Sequence, residues 1–245
     1  MLRLAVVVPT YNEVTNVQNL IDSIGAVAEL NRDTELTVVV IDDSSPDGTA
    51  DLVESLADDW TTPNFSVRVI RKPTKDGLGA AYIYGFSQLE GQGFDYFLQM
   101  DADFSHDPRY ISGFIHQAKA GADFVVASRY IPGGGTPDWT WNRRFLSRGG
   151  NFYARMVLSR RISDYTGGFN LYSAALLARM EVSTITAKGY GFLLVLKYRA
   201  LLNCTSVAEL PIVFLDRAHG SSKMPSNTLL KNFLLVPKIK VLRGR

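Results

Sequence analysis

The chain has 245 residues, a length that buries a sizeable core as one domain, or as one domain with an appendage. Its formal net charge of +2 joins an acidic half to a basic one: residues 1–128 hold 8 Lys and Arg against 19 Asp and Glu, and residues 129–245 hold 18 against 5. A single cysteine, Cys204, excludes an intramolecular disulfide and fits a reducing compartment, and no window approaches the roughly 18–20 continuous apolar residues of a membrane-spanning helix.

Leu2–Pro9 is a β-branched apolar run, the first predicted strand. It opens the chain without a basic n-region, a long apolar h-region or a small-residue cleavage site, so no secretory leader is expected. Val14, Val17, Leu20, Ile21 and Ile24 then follow helical spacing. Glu35–Asp42 reads as a strand buried on both faces, because Thr37-Val38-Val39-Val40-Ile41 does not alternate. Ser45-Pro46-Asp47 predicts a helix start, with Ser45 as N-cap and Pro46 in the first helical position. A strand over Phe65–Ile70, a helix over Leu78–Leu89 and a strand over Phe94–Met100 come next. A helix over Pro108–Ala120 and a strand over Ala122–Ser128 complete the first half. Continuous apolar strands alternating with amphipathic helices predict a mostly parallel α/β sheet covered on both faces.

The second half is organised differently. Ile131–Pro137 carries Gly133-Gly134-Gly135 and two prolines, and reads as a loop. Trp139–Arg161 is rich in arginine and aromatic residues. A short strand over Phe169–Tyr172, a short helix over Ala174–Met180 and a helix over Gly189–Leu202 follow. Val207–Leu215 is a strand interrupted by Pro211, which predicts an edge position or a bulge. In the tail, Asn227–Arg245, apolar clusters alternate with Lys and Arg, and Pro237 predicts a short helix. A cationic half suits phosphates, an anionic membrane surface or nucleic acid.

In parallel sheets ligands bind outside the carboxyl ends of the strands. Those ends carry Pro9-Thr10-Tyr11-Asn12-Glu13, Asp42-Asp43-Ser44-Ser45 and Asp101-Ala102-Asp103. Residues two apart in a strand share a side, so Asp101 and Asp103 could grip one hard divalent cation, and such a cation holds phosphates. The bland alternative is a solvated strand end. Acidic residues converging on one rim repel each other unless a cation sits among them, which favours the metal reading.

With these motifs the chain resembles the family 2 inverting glycosyltransferases. Val8-Pro9-Thr10-Tyr11-Asn12-Glu13 is similar to that family's opening motif, and Asp42-Asp43-Ser44-Ser45-Pro46-Asp47-Gly48-Thr49 to the motif after its second strand. Asp101-Ala102-Asp103-Phe104-Ser105-His106-Asp107-Pro108 resembles the metal motif of one branch, the polyprenol (dolichol) phosphate mannose synthases. Arg217 and Ser222-Lys223 resemble that branch's phosphate-binding loop.

The resemblance implies a single GT-A (Rossmann-like) domain with a nucleotide-sugar-binding half, residues 1–128, and a basic acceptor-side half, residues 129–245. It implies GDP-mannose as donor, a polyprenyl phosphate as acceptor and Mg²⁺ or Mn²⁺ as cofactor. Pro9, Tyr11, Glu13, Val40, Asp42 and Ala102 are then expected around the donor, and Asp101, Asp103 and Ser105 at the metal. Arg129, Arg217 and Lys223 are expected on phosphate. Arg143, Arg144, Arg148, Trp139 and Trp141 are expected where acceptor and membrane meet. The protein would act at the cytoplasmic face of a membrane, with or without a separate membrane subunit.

Two positions depart from the family pattern: Ser105 stands where an amide ligand is common, and Val195 where many relatives carry an acid. A solvated helix face remains the alternative for the arginine-rich segment, and a docked helix for the tail. A UDP-glucose-type donor and a catalytically weakened relative remain open. Nucleic-acid binding would use the basic half but leaves the carboxylate rim unexplained.

Overall fold

The computed structural model describes residues 1–185, 191–215 and 228–242. Seven strands form one sheet: β1 (Leu2–Thr10), β2 (Thr34–Asp42), β3 (Phe65–Arg71), β4 (Tyr96–Gln99), β5 (Phe124–Ser128), β6 (Asn170–Ser173) and β7 (Val207–Pro211). Their spatial order is β3-β2-β1-β4-β6-β5-β7. All pairings are parallel except those of β6, which runs antiparallel to β4 and β5. The expected mostly parallel sheet is therefore present, and both halves of the sequence contribute to it.

The lack of alternation in β1 and β2 has a direct cause, because helices cover both faces of the sheet. Leu4, Val6, Val8, Leu36, Val38 and Val40 pack with α1 (Val17–Leu30), α2 (Thr49–Leu56) and α4 (Ile111–Lys119). Ala5, Val7, Val39 and Ile41 face the other way. They pack with α3 (Leu78–Leu89), α5 (Trp141–Val157), α6 (Ala174–Met180), α7 (Gly191–Asn203) and α8 (Thr228–Val241). Each fully buried Val, Leu or Ile contributes about 1.5–3 kcal/mol through removal from water. The central valines thus fix the register, Val6↔Val38 and Val8↔Val40.

Pro211 lies on β7, the last strand of the sheet, where its missing N–H breaks no interior ladder. Two local expectations are corrected. Ser45 does not cap α2, which begins at Thr49 after a left-handed Gly48. Asp47 accepts from the Thr49 amide at 3.0 Å instead. The tail helix is not cut short, since α8 runs through Pro237. Burial of Val236 and Ile239 in the core offsets the missing main-chain hydrogen bond.

Candidate active site

The carboxyl ends of β1, β2, β4 and β5 open onto one rim. Three of the four described non-glycine residues with positive φ lie on its loops: Asn12 at 59°, Ser44 at 62° and Phe104 at 60°. Left-handed backbone at such residues costs on the order of 1 kcal/mol or more each and persists where surrounding contacts enforce it.

Those contacts are visible around the residues expected on the donor side. Asp42, at the end of β2, accepts from Thr10 Oγ1 at 3.1 Å and from the Ser45 amide at 2.9 Å. Ser45 Oγ in turn accepts from the Asn12 amide at 3.1 Å, so Ser45 ties the first two rim loops together. Glu13 accepts from Asn16 Nδ2 at 2.7 Å, and its amide donates to Thr49 Oγ1 at 3.0 Å. Tyr11 is half-buried beneath the Lys75 ammonium, 3.3 Å from the ring centroid. Pro9 is buried at the end of β1. Val40 is fully buried in the core, so it supports the rim from below and does not line it as expected.

Asp43 stands in the second rim motif and Lys72 carries no sequence signal, and both are buried here. Asp43 accepts from the Gly77 amide at 2.9 Å and pairs with Lys72 at 3.1 Å. Burial opposes the Lys72 charge, but Asp76 and Asp43 outweigh it and raise its pKa. The 72–77 wall is thereby locked to β2.

Asp101 and Asp103 lie beyond β4, which ends at Gln99, so turn geometry rather than strand pleating orients them. Asp101 Oδ1 accepts from Tyr82 OH at 2.9 Å, and Asp103 Oδ1 from the Ser105 amide at 3.1 Å. Burial and then Asp101 push the Tyr82 phenol well above its ordinary pKa, which keeps it a donor; Asp103 acts in the same direction. The Asp101 amide donates to His106 Nδ1 at 3.0 Å. His106 is buried and stacks on Phe169 at 4.9 Å between centroids. Burial lowers its pKa, so it is a neutral ring that shapes the loop. Ala102, between the two acids, is buried in the core.

The donor set fits a hard divalent cation. Asp101 and Asp103 both act on the Tyr82 phenol and the His106 ring. A Cβ added at Gly168 would make van der Waals contact with Asp101 Oδ2 at 3.5 Å, so glycine leaves that oxygen less crowded. No cluster of three or more His, Cys, Asp or Glu suited to a metal occurs among the described residues, so any further ligands would come from substrate, water or Ser105. Ser105 itself is buried.

Arg129 follows β5 and is buried against Asp164. Its Nε donates to Asp164 Oδ2 at 2.7 Å, and its Nη2 to Oδ1 at 2.8 Å and to Thr166 Oγ1 at 2.7 Å. Asp164 has no solvent exposure; burial opposes its charge, but Arg129 outweighs burial and holds the carboxyl well below the usual range. The expectation that Arg129 simply reaches for phosphate is corrected to that extent, because two of its nitrogens are committed to the protein. Its guanidinium also lies over the Trp139, Tyr130 and Phe214 rings.

Trp139, expected at an interface, is buried between Arg129 and Arg143, with the Arg143 guanidinium 4.0 Å from its ring centroid. Trp141 is 74% exposed and stacks on Phe145 at 5.5 Å. Phe145, Leu146, Phe152 and Met156 of α5 are exposed as well. Arg144 donates to the carbonyls of Thr136 and Pro137. With Arg148, Gly135 and Val213 it lines a cavity of about 330 Å³. Arg217 and Lys223 lie outside the described residues. No helix among the described residues is long and apolar enough to cross a membrane. Val195 is buried in the core on α7, and Lys197, two residues on, is fully buried beside Asp164.

Comparison with known proteins agrees with this architecture. The model described as glycosyl transferase family 2 matches residues 5–180. Polyprenol monophosphomannose synthase of Mycolicibacterium smegmatis is 37% identical over 99% of this chain and 88% of its own length. Undecaprenyl-phosphate mannosyltransferase of Micrococcus luteus is 35% identical over 91% of this chain and 88% of its own length. A mannosyltransferase of Pyrobaculum calidifontis, solved with GDP-Man and Mn²⁺, superposes with a TM-score of 0.59 at 18% identity, covering 98% of this chain and 64% of that one. At that identity the likeness speaks to fold alone, which is the expected GT-A type.

Proposed function

Because this chain belongs to glycosyl transferase family 2, it is a glycosyltransferase, and we propose that it transfers mannose from GDP-mannose to a polyprenyl monophosphate. The observation that carries this reading is the Asp101–Asp103 rim together with the arginine-rich helix α5, which is tied through Asn151 to the 164–168 segment that ends against Asp101. The names of the two curated relatives support mannose and a polyprenyl phosphate. The GDP-Man and Mn²⁺ bound by the Pyrobaculum enzyme support the donor and a divalent metal.

The chemistry follows from the acceptor. A lipid monophosphate is already anionic near neutral pH and needs no general base. This suits a site whose histidine is neutral, buried and engaged through Nδ1. The residues then have to position the acceptor oxygen in line with the anomeric carbon and exclude water. A single displacement of this kind inverts the stereochemistry. Asp101 and Asp103 would hold Mg²⁺ or Mn²⁺, which supplies charge neutralisation for the departing diphosphate. Tyr11 and Asp42 border the nucleoside, by stacking and by accepting hydrogen bonds. Arg129, Arg217 and Lys223 contribute positive charge around the phosphates.

On the acceptor side, Arg143 and Arg148 meet the lipid phosphate, and the exposed face of Trp141, Phe145, Phe152 and Met156 rests in the membrane interface. The contact is peripheral.

Transfer of radiolabel from GDP-mannose to added polyprenyl phosphate, with metal chelated in a control, tests the reading. Labelled lipid in the metal sample and none with chelator is the expected result. Transfer from UDP-glucose but not GDP-mannose overturns the donor, and undiminished transfer under chelation overturns the metal.

A further inference from the structure

Lys197 lies in the middle of α7 and has no solvent exposure. A buried ammonium is unfavourable unless something holds it. Its Nζ donates to the main-chain oxygen of Asp164 at 2.7 Å. Asp164 begins a five-residue strap, Asp164-Tyr165-Thr166-Gly167-Gly168, that touches Arg129, helix α5 and the Asp101 turn. At its start the Asp164 carboxylate grips Arg129, and the amides of Thr166 and Gly167 donate back to that carboxylate at 3.1 and 3.0 Å. In its middle, Thr166 Oγ1 accepts from Asn151 Nδ2 of α5 at 3.1 Å, and the Tyr165 amide donates to Asn151 Oδ1 at 2.7 Å. At its end Gly168 lies against Asp101, with room for a Cβ only 3.5 Å from Oδ2 and 3.3 Å from His106 Cε1.

We propose that the ammonium form of Lys197 is a positioning group for transfer: by tethering the strap at Asp164 it holds the Arg129 guanidinium, the Asp101 carboxylate and helix α5 in one arrangement. This rests on the transfer reaction proposed above. The tether depends on charge, because a charge-assisted hydrogen bond is roughly twice as strong as a neutral one. An uncharged amine leaves the strap held by its own turn, by Arg129 and by Asn151, without the charged tether at Asp164.

Burial and three charged groups decide when that charge is lost. Burial acts against it most, bringing its pKa down to about 8. Asp164 on the strap and Glu209 on β7 favour the ammonium, and Arg129 after β5 opposes it. His106 is neutral, and Lys197 is among the cations that keep it so. The tether therefore loosens as pH rises from 7 to 9.

The test compares pH profiles of transfer to polyprenyl phosphate for the wild-type chain and for Lys197→Met, with the Lys197 side-chain resonance followed by NMR in the same range. In the wild type kcat falls about tenfold between pH 7 and 9, parallel to a lysine titrating near pH 8. In Lys197→Met the pH 7 rate is already low, the fall is absent and the titrating resonance is gone. A variant that keeps the wild-type rate, or keeps the fall, overturns the proposal. So does a wild-type spectrum in which no lysine titrates near pH 8, whether or not the variant folds. A wild-type protein that transfers nothing at any pH refutes the proposed reaction, while the NMR titration still reports on the buried lysine.

Discussion

Replacing Asp164 with asparagine preserves shape and removes one charge from a buried pair. The carboxylate accepts from Arg129 N, Nε and Nη2 at 3.2, 2.7 and 2.8 Å, and from the amides of Thr166 and Gly167. In Asp164→Asn the Arg129 guanidinium stays buried with no counter-charge, and the new NH₂ points a donor at donors. Breaking one side of a buried ion pair costs about 3–5 kcal/mol, a large share of the roughly 5–15 kcal/mol that holds a native domain together. With a urea slope of about 1–3 kcal/mol per molar, the midpoint should drop by more than about 1 M. Urea titration followed by circular dichroism measures this. The double variant Asp164→Leu/Arg129→Met removes both charges and should lose less than Asp164→Asn alone. The folded-state pKa of Asp164 lies below its unfolded value. Its stabilisation is therefore complete above about pH 4 and is lost as the pH falls further. A loss under about 1 kcal/mol in Asp164→Asn would refute the argument.

Lys197 also has a folded pKa below its unfolded value, but here the charged form is the one that burial disfavours. Its pKa is about 8 when folded against 10.5 as the model value, so the unfolded chain binds more protons between these values and stability rises with pH across that window. Lys197→Met should stabilise the fold at pH 7 by up to roughly 3 kcal/mol before the lost hydrogen bond to Asp164 is subtracted, and so raise the Tm. A lowered Tm in a thermal melt contradicts this. Asp103→Ala should reduce transfer at least about a hundredfold while leaving the circular dichroism spectrum unchanged, and full turnover removes that carboxylate from the chemistry. Gly168→Ala should weaken Mn²⁺ binding, read by titration calorimetry, without unfolding the protein; unaltered affinity shows that the space beside Asp101 is not used. Trp141→Glu/Phe145→Glu should weaken sedimentation with protein-free anionic vesicles at least about tenfold. Unchanged sedimentation rules out this face of α5 as the contact.

Much of the architecture is legible in the sequence because the strands are buried on both faces. Thr37–Ile41 cannot alternate and still remove its side chains from water between two helix layers, and Pro211 can occupy only an edge without breaking a ladder. The rim residues are legible for a related reason: polar groups immediately after apolar strands in a parallel sheet have one place to go. Sequence alone also marks a signal it does not interpret, the lysine Lys197 between the apolar run Phe192–Leu196 and Tyr198.

Tertiary structure decides what these groups do to one another. Asp164 and Arg129 are 35 residues apart, and Lys197 lies 33 beyond Asp164. No local pattern brings them together, and the insertion of β6 antiparallel between β4 and β5 does. The same packing turns Trp139 inward, leaves Trp141 exposed and carries α8 through Pro237. Asp101 and Asp103 are named by the sequence as a cation grip. Tyr82, His106 and Gly168, which orient that grip, reach it from a helix, a turn and a distant loop. Burial and long-range charge determine a side chain's behaviour, and both exist only once the chain is folded.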